Sequence, residues 1–174
     1  GFLASLSMFK MQWASGLIKA NEERISLLLN STGEGIYGID LKGECTFANK
    51  SCLEMLGYQS EEDILGKNIH DLIHHTRKDG APCPLDGCKI YQTFRAERES
   101  YLSDEVLWRL DGTSFSVEYR ALPIQSPEGI IGSVVSFTNI EKRVKAEAKQ
   151  AKISMLNKKT IDATTAFLRG DESS

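Results

Sequence analysis

Residues 108–124, WRLDGTSFSVEYRALPI, contain the clearest strand signal in the chain. Apolar residues recur there at every second position, namely at Phe115, Val117, Tyr119 and Ala121. A period of two places alternate side chains on opposite faces of a strand, so we predict one buried and one solvated face. Asp111 and Gly112 precede this run and favour a hairpin turn back to the strand-like segment YLSDEVLWRL.

The residues on the carboxyl side of this stretch predict one more strand and a long helix. SPEG (126–129) forms a turn, and IIGSVVSFT is a nearly continuous apolar strand that ends at Asn139. Asn139 is a favourable N-cap for the helix that follows. The apolar stripe of this helix consists of Ile140, Val144, Ala148, Ala151 and Met155. We expect the final RGDESS to be disordered.

On the amino side, two β-rich runs in EGIYGIDLKGECTFANKS meet at Lys42 and Gly43, which we interpret as a hairpin turn. CLEMLG and SEEDILGKN follow as short helical pieces, with Ser60 as an N-cap. Helical spacing resumes in CKIYQTFRAERE. The order is therefore helix, two strands, short helices, three strands and helix. It predicts an α+β fold in which a five-stranded antiparallel sheet carries short helices on one face and long helices at both ends.

The first helix carries an apolar seam with four- and three-residue spacing, formed by Phe2, Leu6, Phe9, Trp13 and Leu17. Two interpretations stay open: a helix that lies on its own domain, and the seam of a dimeric coiled coil. Lys10 and Gln12 interrupt the apolar run before it reaches the ~20 residues of a membrane span. The run is also compatible with the trimmed end of a membrane anchor.

The composition excludes several classes of protein. The 174 residues are 41% hydrophobic, which suits one core with extensions. A net charge of −3 with interspersed signs lacks the basic stripe of nucleic-acid-binding proteins. A chain with this much apolar content does not need a disulfide framework, so we expect its four cysteines to be reduced and the chain to be cytoplasmic, either alone or as the cytoplasmic part of a membrane-anchored receptor.

Three segments together resemble a PAS domain: GEGIYGIDLKGECTFANKSCLEMLGYQSEEDILGKNIHDL, WRLDGTSFSVEYRALPI and GSVVSFTNIEKR. The resemblance divides the chain into an amphipathic dimerisation or linker helix (1–24), a PAS domain (25–143) and a signalling helix with a disordered tail (144–174). It implies a non-enzymatic sensory module that dimerises and relays a signal to an attached output domain. A histidine kinase is the leading output class, and a cyclic-dinucleotide enzyme and a chemotaxis receptor are alternatives. Asn139 replaces the Asp that usually ends the sheet in this family, and its amide cannot form the charge-assisted bond that an Asp could make to an arginine.

The loop HHTRKDGAPCPLDGC, residues 74–88, concentrates soft ligands. Its candidate metal ligands are His74, His75, Cys83 and Cys88. These are zinc-binding residue types, but their spacing is not that of a standard zinc finger. A zinc site or a thiol redox sensor is therefore an alternative to a loop that borders the ligand pocket.

A small ligand would lie between the sheet and the helix that begins at Cys88. The candidate lining residues are Cys88, Tyr91, Phe94, Trp108, Phe115, Val117 and Tyr119. By resemblance, Cys88 lies near the place of the haem ligand of haem-binding PAS sensors, whereas Asn68-Ile69-His70-Asp71 lacks the cysteine of flavin photosensors. Haem and non-covalent FAD are thus alternatives for an oxygen or redox sensor. Our leading interpretation is a packed core without a cofactor.

Overall fold

The computed structural model describes the backbone of residues 2–95 and 98–171, and the side chains of residues 15–93, 98–103 and 105–169. Its sheet has five antiparallel strands in the order β2-β1-β5-β4-β3. The strands are β1 (Gly35–Asp40), β2 (Cys45–Ala48), β3 (Ser100–Trp108), β4 (Ser114–Ser126) and β5 (Gly129–Asn139). The predicted α+β fold and the predicted order of its elements are confirmed.

Two long helices flank three short ones. The helices are α1 (Phe2–Asn30), α2 (Lys50–Leu56), α3 (Ile69–Ile73), α4 (Lys89–Arg95) and α5 (Glu141–Asp171), with single 3-10 turns at Glu61–Asp63 and Leu85–Gly87. Helix α5 continues through Asp171, beyond the point where we expected disorder to begin, and residues 172–174 lie outside the described part. None of the helices among the described residues is both long and apolar enough to cross a membrane.

In β4, the alternation of apolar and polar residues in the sequence matches the alternation of buried and more exposed side chains. Phe115, Val117, Tyr119 and Ala121 are all buried in the core, whereas the intervening residues are half-buried or exposed. Gly112 has a φ of 79°, the left-handed conformation that the predicted hairpin turn requires. The period of two in the sequence therefore identified which face of β4 packs against the short helices.

Asn49 joins α1 to the sheet and to α2. Its side-chain oxygen accepts hydrogen bonds from the backbone N–H groups of Ile36 (2.8 Å) and Cys52 (2.9 Å). Its amide nitrogen donates to the carbonyl oxygens of Leu29 (2.8 Å) and Glu34 (2.9 Å). Asn49 is buried, so these bonds replace those that it would make with water. One side chain thereby caps α2 and fixes the end of α1 against β1.

Candidate functional site

Two histidines and a cysteine meet in the core beneath the sheet, and we call His70, His74 and Cys88 the His-Cys cluster. Asn68 caps α3 by accepting a hydrogen bond from the backbone N–H of His70 (3.0 Å). His70 and His74 are four residues apart, so this short helix presents both rings on one face. Cys88 lies immediately before α4, where its carbonyl accepts from the N–H of Gln92 (3.0 Å). One side-chain donor atom of each member lies within 4.8 Å of the other two, and all three residues are buried.

The outer ring nitrogens of the two histidines have partners of different kinds. Nε2 of His70 lies 2.8 Å from the carbonyl oxygen of Cys83, an atom that can only accept, so this nitrogen carries a proton. Nε2 of His74 lies 3.6 Å from a carboxylate oxygen of Glu105. These contacts orient both rings so that the other nitrogen, Nδ1, remains for a partner inside the cluster.

The two Nδ1 atoms, which face the inside of the cluster, differ in their partners. Nδ1 of His74 lies 3.2 Å from Sγ of Cys88. Nδ1 of His70 is buried and has no hydrogen-bond partner among the described residues. A neutral ring whose Nε2 donates a proton carries a lone pair on Nδ1. The cluster therefore contains one buried nitrogen that makes no hydrogen bond of good geometry, although Cys88 is close enough to raise the pKa of the His70 ring.

The cluster shifts the protonation of its own members. Burial alone would raise the pKa of the Cys88 thiol, but interactions with His70 and His74 outweigh it and lower the pKa to about 6. Burial would lower the pKa of His74, but interactions with Cys88 and Glu105 raise it to about 10. The two pKa shifts favour the deprotonated form of Cys88 and the protonated form of His74, so the pair shares a proton that a bound metal ion would displace.

Two tyrosine hydroxyls near the cluster also lack partners. The hydroxyls of Tyr37 and Tyr119 are buried without a hydrogen bond among the described residues. The ring of Tyr119 packs edge-on against that of His74, with centroids 6.3 Å apart. Burial raises the pKa of both phenols, so both stay protonated. An unpaired hydroxyl is costly in a core, and its presence twice beside the cluster marks this as the polar part of the interior.

A small void adjoins the cluster. Its volume is about 10 Å³, and Tyr37, His70, His74, Cys88 and Tyr91 are among the residues around it. This is on the order of the space that one water molecule needs. A haem or flavin ring does not fit there without a rearrangement of the core, so the residues present do not favour either cofactor.

The structure brings together two of the four predicted metal ligands. His74 and Cys88 belong to the cluster, whereas the exposed ring of His75 stacks on Trp108 with centroids 5.4 Å apart. Cys83 is buried and contributes its backbone carbonyl rather than its thiol. Our sequence reasoning did not consider His70 as a ligand, although the four-residue spacing from His74 on a short helix was a usable signal.

The predicted pocket residues occupy three kinds of position. Cys88 and Tyr91 border the small void, while Phe115, Val117 and Tyr119 are buried in the hydrophobic core. Trp108 instead donates from Nε1 to the carbonyl oxygen of Thr76 (2.7 Å) and thereby fixes the loop after α3. The side chain of Phe94 lies outside the described residues. Cofactor binding by this set stays a prediction.

A second constellation lies where the sheet meets α5. Ile140 is buried, and its N–H donates to the carbonyl oxygen of Ser116 (2.9 Å). The side chain of Asn139 accepts from the N–H of Glu141 (2.9 Å) and so satisfies a donor of the first turn, although the carbonyl of Ile140, one residue later than predicted, accepts the first helical hydrogen bond from Val144. Arg143 reaches back to β4 and pairs with Glu118 at 2.7 Å. The start of α5 is thus attached to the sheet by a buried side chain, a cap and an ion pair.

Arg109 connects this junction to the core. Its Nε donates to the carbonyl oxygen of Met55 at the end of α2 (3.1 Å), and its guanidinium lies 4.3 Å from the centre of the Phe115 ring. Its Nη2 lies 3.9 Å from a carboxylate oxygen of Glu141. One arginine therefore contacts a short helix, the hydrophobic core and the first turn of α5.

Comparison with known proteins relates this chain to one protein family. The family model described as PAS fold matches residues 23–140. The curated protein "Probable diguanylate cyclase DgcE" of Escherichia coli (strain K12) is 27% identical over 137 residues, which are 78% of this chain and 12% of that protein. The chain thus spans about 12% of the length of that relative.

Solved structures agree on the fold. The PAS domain of a protein from Colwellia psychrerythraea has a TM-score of 0.56 at 17% identity, over 69% of this chain and 97% of that one. The PAS domain of nitrogen regulation protein NR(II) from Vibrio parahaemolyticus has a TM-score of 0.52 at 20% identity, over 66% of this chain and 96% of that one. Identities this low concern the fold alone.

Proposed function

The chain belongs to the PAS family, the sensory domains of signalling proteins, and from that premise we propose that it is a non-enzymatic module that relays a change in its core to an attached output domain through α5. One observation carries the proposal. Among the described residues, α5 contacts the sheet through its first turn, and every side chain described from Lys145 onward is exposed. From there to Asp171 the helix extends roughly 40 Å away from its attachment. The helix is therefore attached at its amino end and exposed along the rest of its described length.

A short path of contacts connects the His-Cys cluster to the first turn of α5. Tyr119 packs against His74 on the inner face of the sheet. Glu118, its neighbour in β4, points to the opposite face and pairs with Arg143. A shift of β4 that repositions Tyr119 therefore also moves the anchor of α5. This geometry supports a mechanical relay from core to helix.

Glu141 supplies the acidic group that Asn139 lacks. Asn139 caps α5 but has no charge, and Glu141, two residues later, lies near Arg109 instead. The pair is half exposed, so its contribution to stability is small. The pair matters for a relay because it links the first turn of α5 to Met55 and Phe115, which Arg109 also contacts.

We further propose that the module works as a homodimer through α1. Leu17, at the end of the predicted seam, is 53% exposed, and Ile18, Ile25 and Leu28 are exposed as well. The side chains of Phe2, Leu6, Phe9 and Trp13 lie outside the described residues. A second copy of α1 would cover such a seam in a coiled coil.

The class of the output domain belongs to this proposal too. The sequence resemblance implied a histidine kinase first and a cyclic-dinucleotide enzyme as an alternative. The E. coli relative carries the name of a probable diguanylate cyclase, which favours the alternative. We therefore propose a diguanylate cyclase as output, in the cytoplasm, and a histidine kinase as the second candidate.

The relay can be tested through the phase of α5. The chain would be joined through α5 to a diguanylate cyclase domain, and cyclic-di-GMP synthesis would be measured after insertions behind Asp162. Seven inserted residues rotate the exit of the helix by about 700°, within about 20° of two full turns, and so preserve the orientation of the output domain, whereas five rotate it by about 500° and leave it about 140° out of phase. We expect activity to be kept by the first insertion and changed by the second.

The ion pair provides the matched control. Arg143→Ala should weaken the dependence on helix phase, while Lys142→Ala, on the same exposed turn, should leave it intact. Activity that is indifferent to insertion length would contradict the relay.

For the dimer, Phe9→Glu with Trp13→Glu should halve the mass in solution, and an unchanged mass would show that another surface holds the dimer.

A further inference from the structure

We propose that His70, His74 and Cys88 bind one Zn²⁺-like transition-metal ion through Nδ1 of each histidine and the cysteine sulfur. The proposal goes beyond the relay and does not depend on it. Imidazole nitrogen and thiolate sulfur are the ligand types that zinc and its neighbours prefer. The sequence spreads these residues over two segments, and the fold brings their donor atoms within 4.8 Å of one another.

The distances suit a tetrahedral ion. Zinc lies about 2.0–2.1 Å from histidine nitrogen and about 2.3 Å from cysteine sulfur, so two ligand atoms on one ion are roughly 3.3–3.6 Å apart. Nδ1 of His74 and Sγ of Cys88 are already 3.2 Å apart. Small adjustments of the His70 ring complete the triangle, since its donor atom is within the same 4.8 Å.

The buried Nδ1 of His70, which makes no hydrogen bond among the described residues, is the independent sign of a missing ligand. His70 is 7% exposed, and its Nδ1 has no hydrogen-bond partner in the described part of the chain. Most buried polar atoms in native proteins have a partner, and those without one call for a specific explanation. A metal ion inside the cluster would satisfy this nitrogen.

The outer contacts have the form of a metal site's supporting shell. Metal-bound histidines usually donate their other N–H to a backbone carbonyl or a carboxylate, which fixes the ring and its tautomer. Here Nε2 of His70 donates to the carbonyl of Cys83 (2.8 Å), and Nε2 of His74 faces Glu105 (3.6 Å). Both rings are therefore held with Nδ1 toward Cys88.

The fourth position is open to a small ligand. The void beside the cluster, about 10 Å³, has room for about one water molecule. Three protein ligands with one exchangeable position are typical of sites that react with small molecules, whereas purely structural zinc sites use four protein ligands. The site is thus suited to a metal whose remaining position can exchange.

Cobalt titration of the chelator-treated chain tests the site directly. Co²⁺ reports a cysteine ligand through a thiolate charge-transfer band and tetrahedral geometry through its visible d–d bands. We expect one Co²⁺ per chain with both signals, and displacement by one Zn²⁺. Absence of a charge-transfer band at saturating Co²⁺ would overturn the proposal.

Matched variants decide between this ligand set and the one that the sequence alone suggested. Cys88→Ser, His70→Gln and His74→Gln should each weaken Zn²⁺ binding by more than about 100-fold, because the loss of supporting contacts alone costs 10–100-fold in other metal sites. Cys83→Ser and His75→Ala should bind as the unmodified chain does. Binding that depends on Cys83 or His75 but not on His70 would refute the assignment.

Three further measurements separate metal binding from a failure to fold. Circular dichroism should show the same secondary structure in all five variants before metal is added. Glu105→Gln, which keeps the cluster intact, should weaken Zn²⁺ binding by about 10-fold. Zn²⁺ should also slow hydrogen exchange in α3 and α4 of the unmodified chain, because the ion joins them. Exchange that is unchanged by saturating Zn²⁺ would contradict binding at this place.

Discussion

The His-Cys cluster and the junction with α5 both hold charged side chains, but only the cluster is buried. In the cluster, His74 and Cys88 face each other away from water, and His70 keeps an unpaired nitrogen. At the junction, Arg143 and Glu118 pair with side chains that are 50% and 24% exposed. Bulk water can replace a lost partner at the junction, whereas the void beside the cluster has room for about one water molecule. The first region is therefore suited to specific recognition and the second to an adjustable connection.

The largest effect should come from breaking the buried pair. In the metal-free protein, His74→Leu removes the partner of both the Cys88 sulfur and Glu105, and we expect it to lower the free energy of unfolding by about 2 kcal/mol. His75→Leu, one position later on an exposed side chain, should change it by less than about 0.5 kcal/mol. Urea unfolding of both variants measures the difference. Equal effects would mean that the cluster is not a distinct energetic unit.

An opposite, smaller effect is expected from an unpaired hydroxyl. Tyr119→Phe removes a buried O–H that has no partner, so in the metal-free protein we expect unfolding to require about 1 kcal/mol more. Tyr101→Phe is the control, because that exposed hydroxyl bonds to Glu118 at 3.3 Å. It should be nearly neutral. A loss of stability in Tyr119→Phe would indicate that the hydroxyl has a partner in solution, such as an ordered water.

The smallest effect should come from the junction. Arg143→Ala removes the contact that lowers the pKa of Glu118, but both groups remain accessible to water. We expect a slight loss of thermal stability at low salt that vanishes near 1 M salt, where charges are screened beyond about 3 Å. Thermal unfolding at both salt concentrations checks this. A loss that persists at high salt would show that the arginine acts through packing.

The strands were predictable because their signals are local. The alternation in β4 depends only on which face is buried, and the turns at Gly43 and Gly112 depend on φ values of 82° and 79° that glycine readily adopts. The capping roles of Ser60 and Asn139 were also local, and both side chains accept the expected backbone N–H. Each of these features is decided within about four residues of sequence.

The site was less predictable because its members come from separate segments. Proximity in sequence suggested His75 and Cys83, whereas the helical turn of α3 selects His70 as the partner of His74. Glu105 comes from β3 and could not be assigned to the cluster from its own neighbours in sequence. The contact between Arg109 and Glu141, which accompanies the change at Asn139, likewise joins distant parts of the chain.

The sequence by itself determined the PAS fold, the order of its elements along the chain and the buried face of β4, because periodicity and turn chemistry act over a few residues. Only the tertiary structure decided which soft ligands meet, which nitrogen is left without a partner and how β4 is attached to α5. Those properties depend on distances between side chains from different elements. No local pattern of residue types contains those distances.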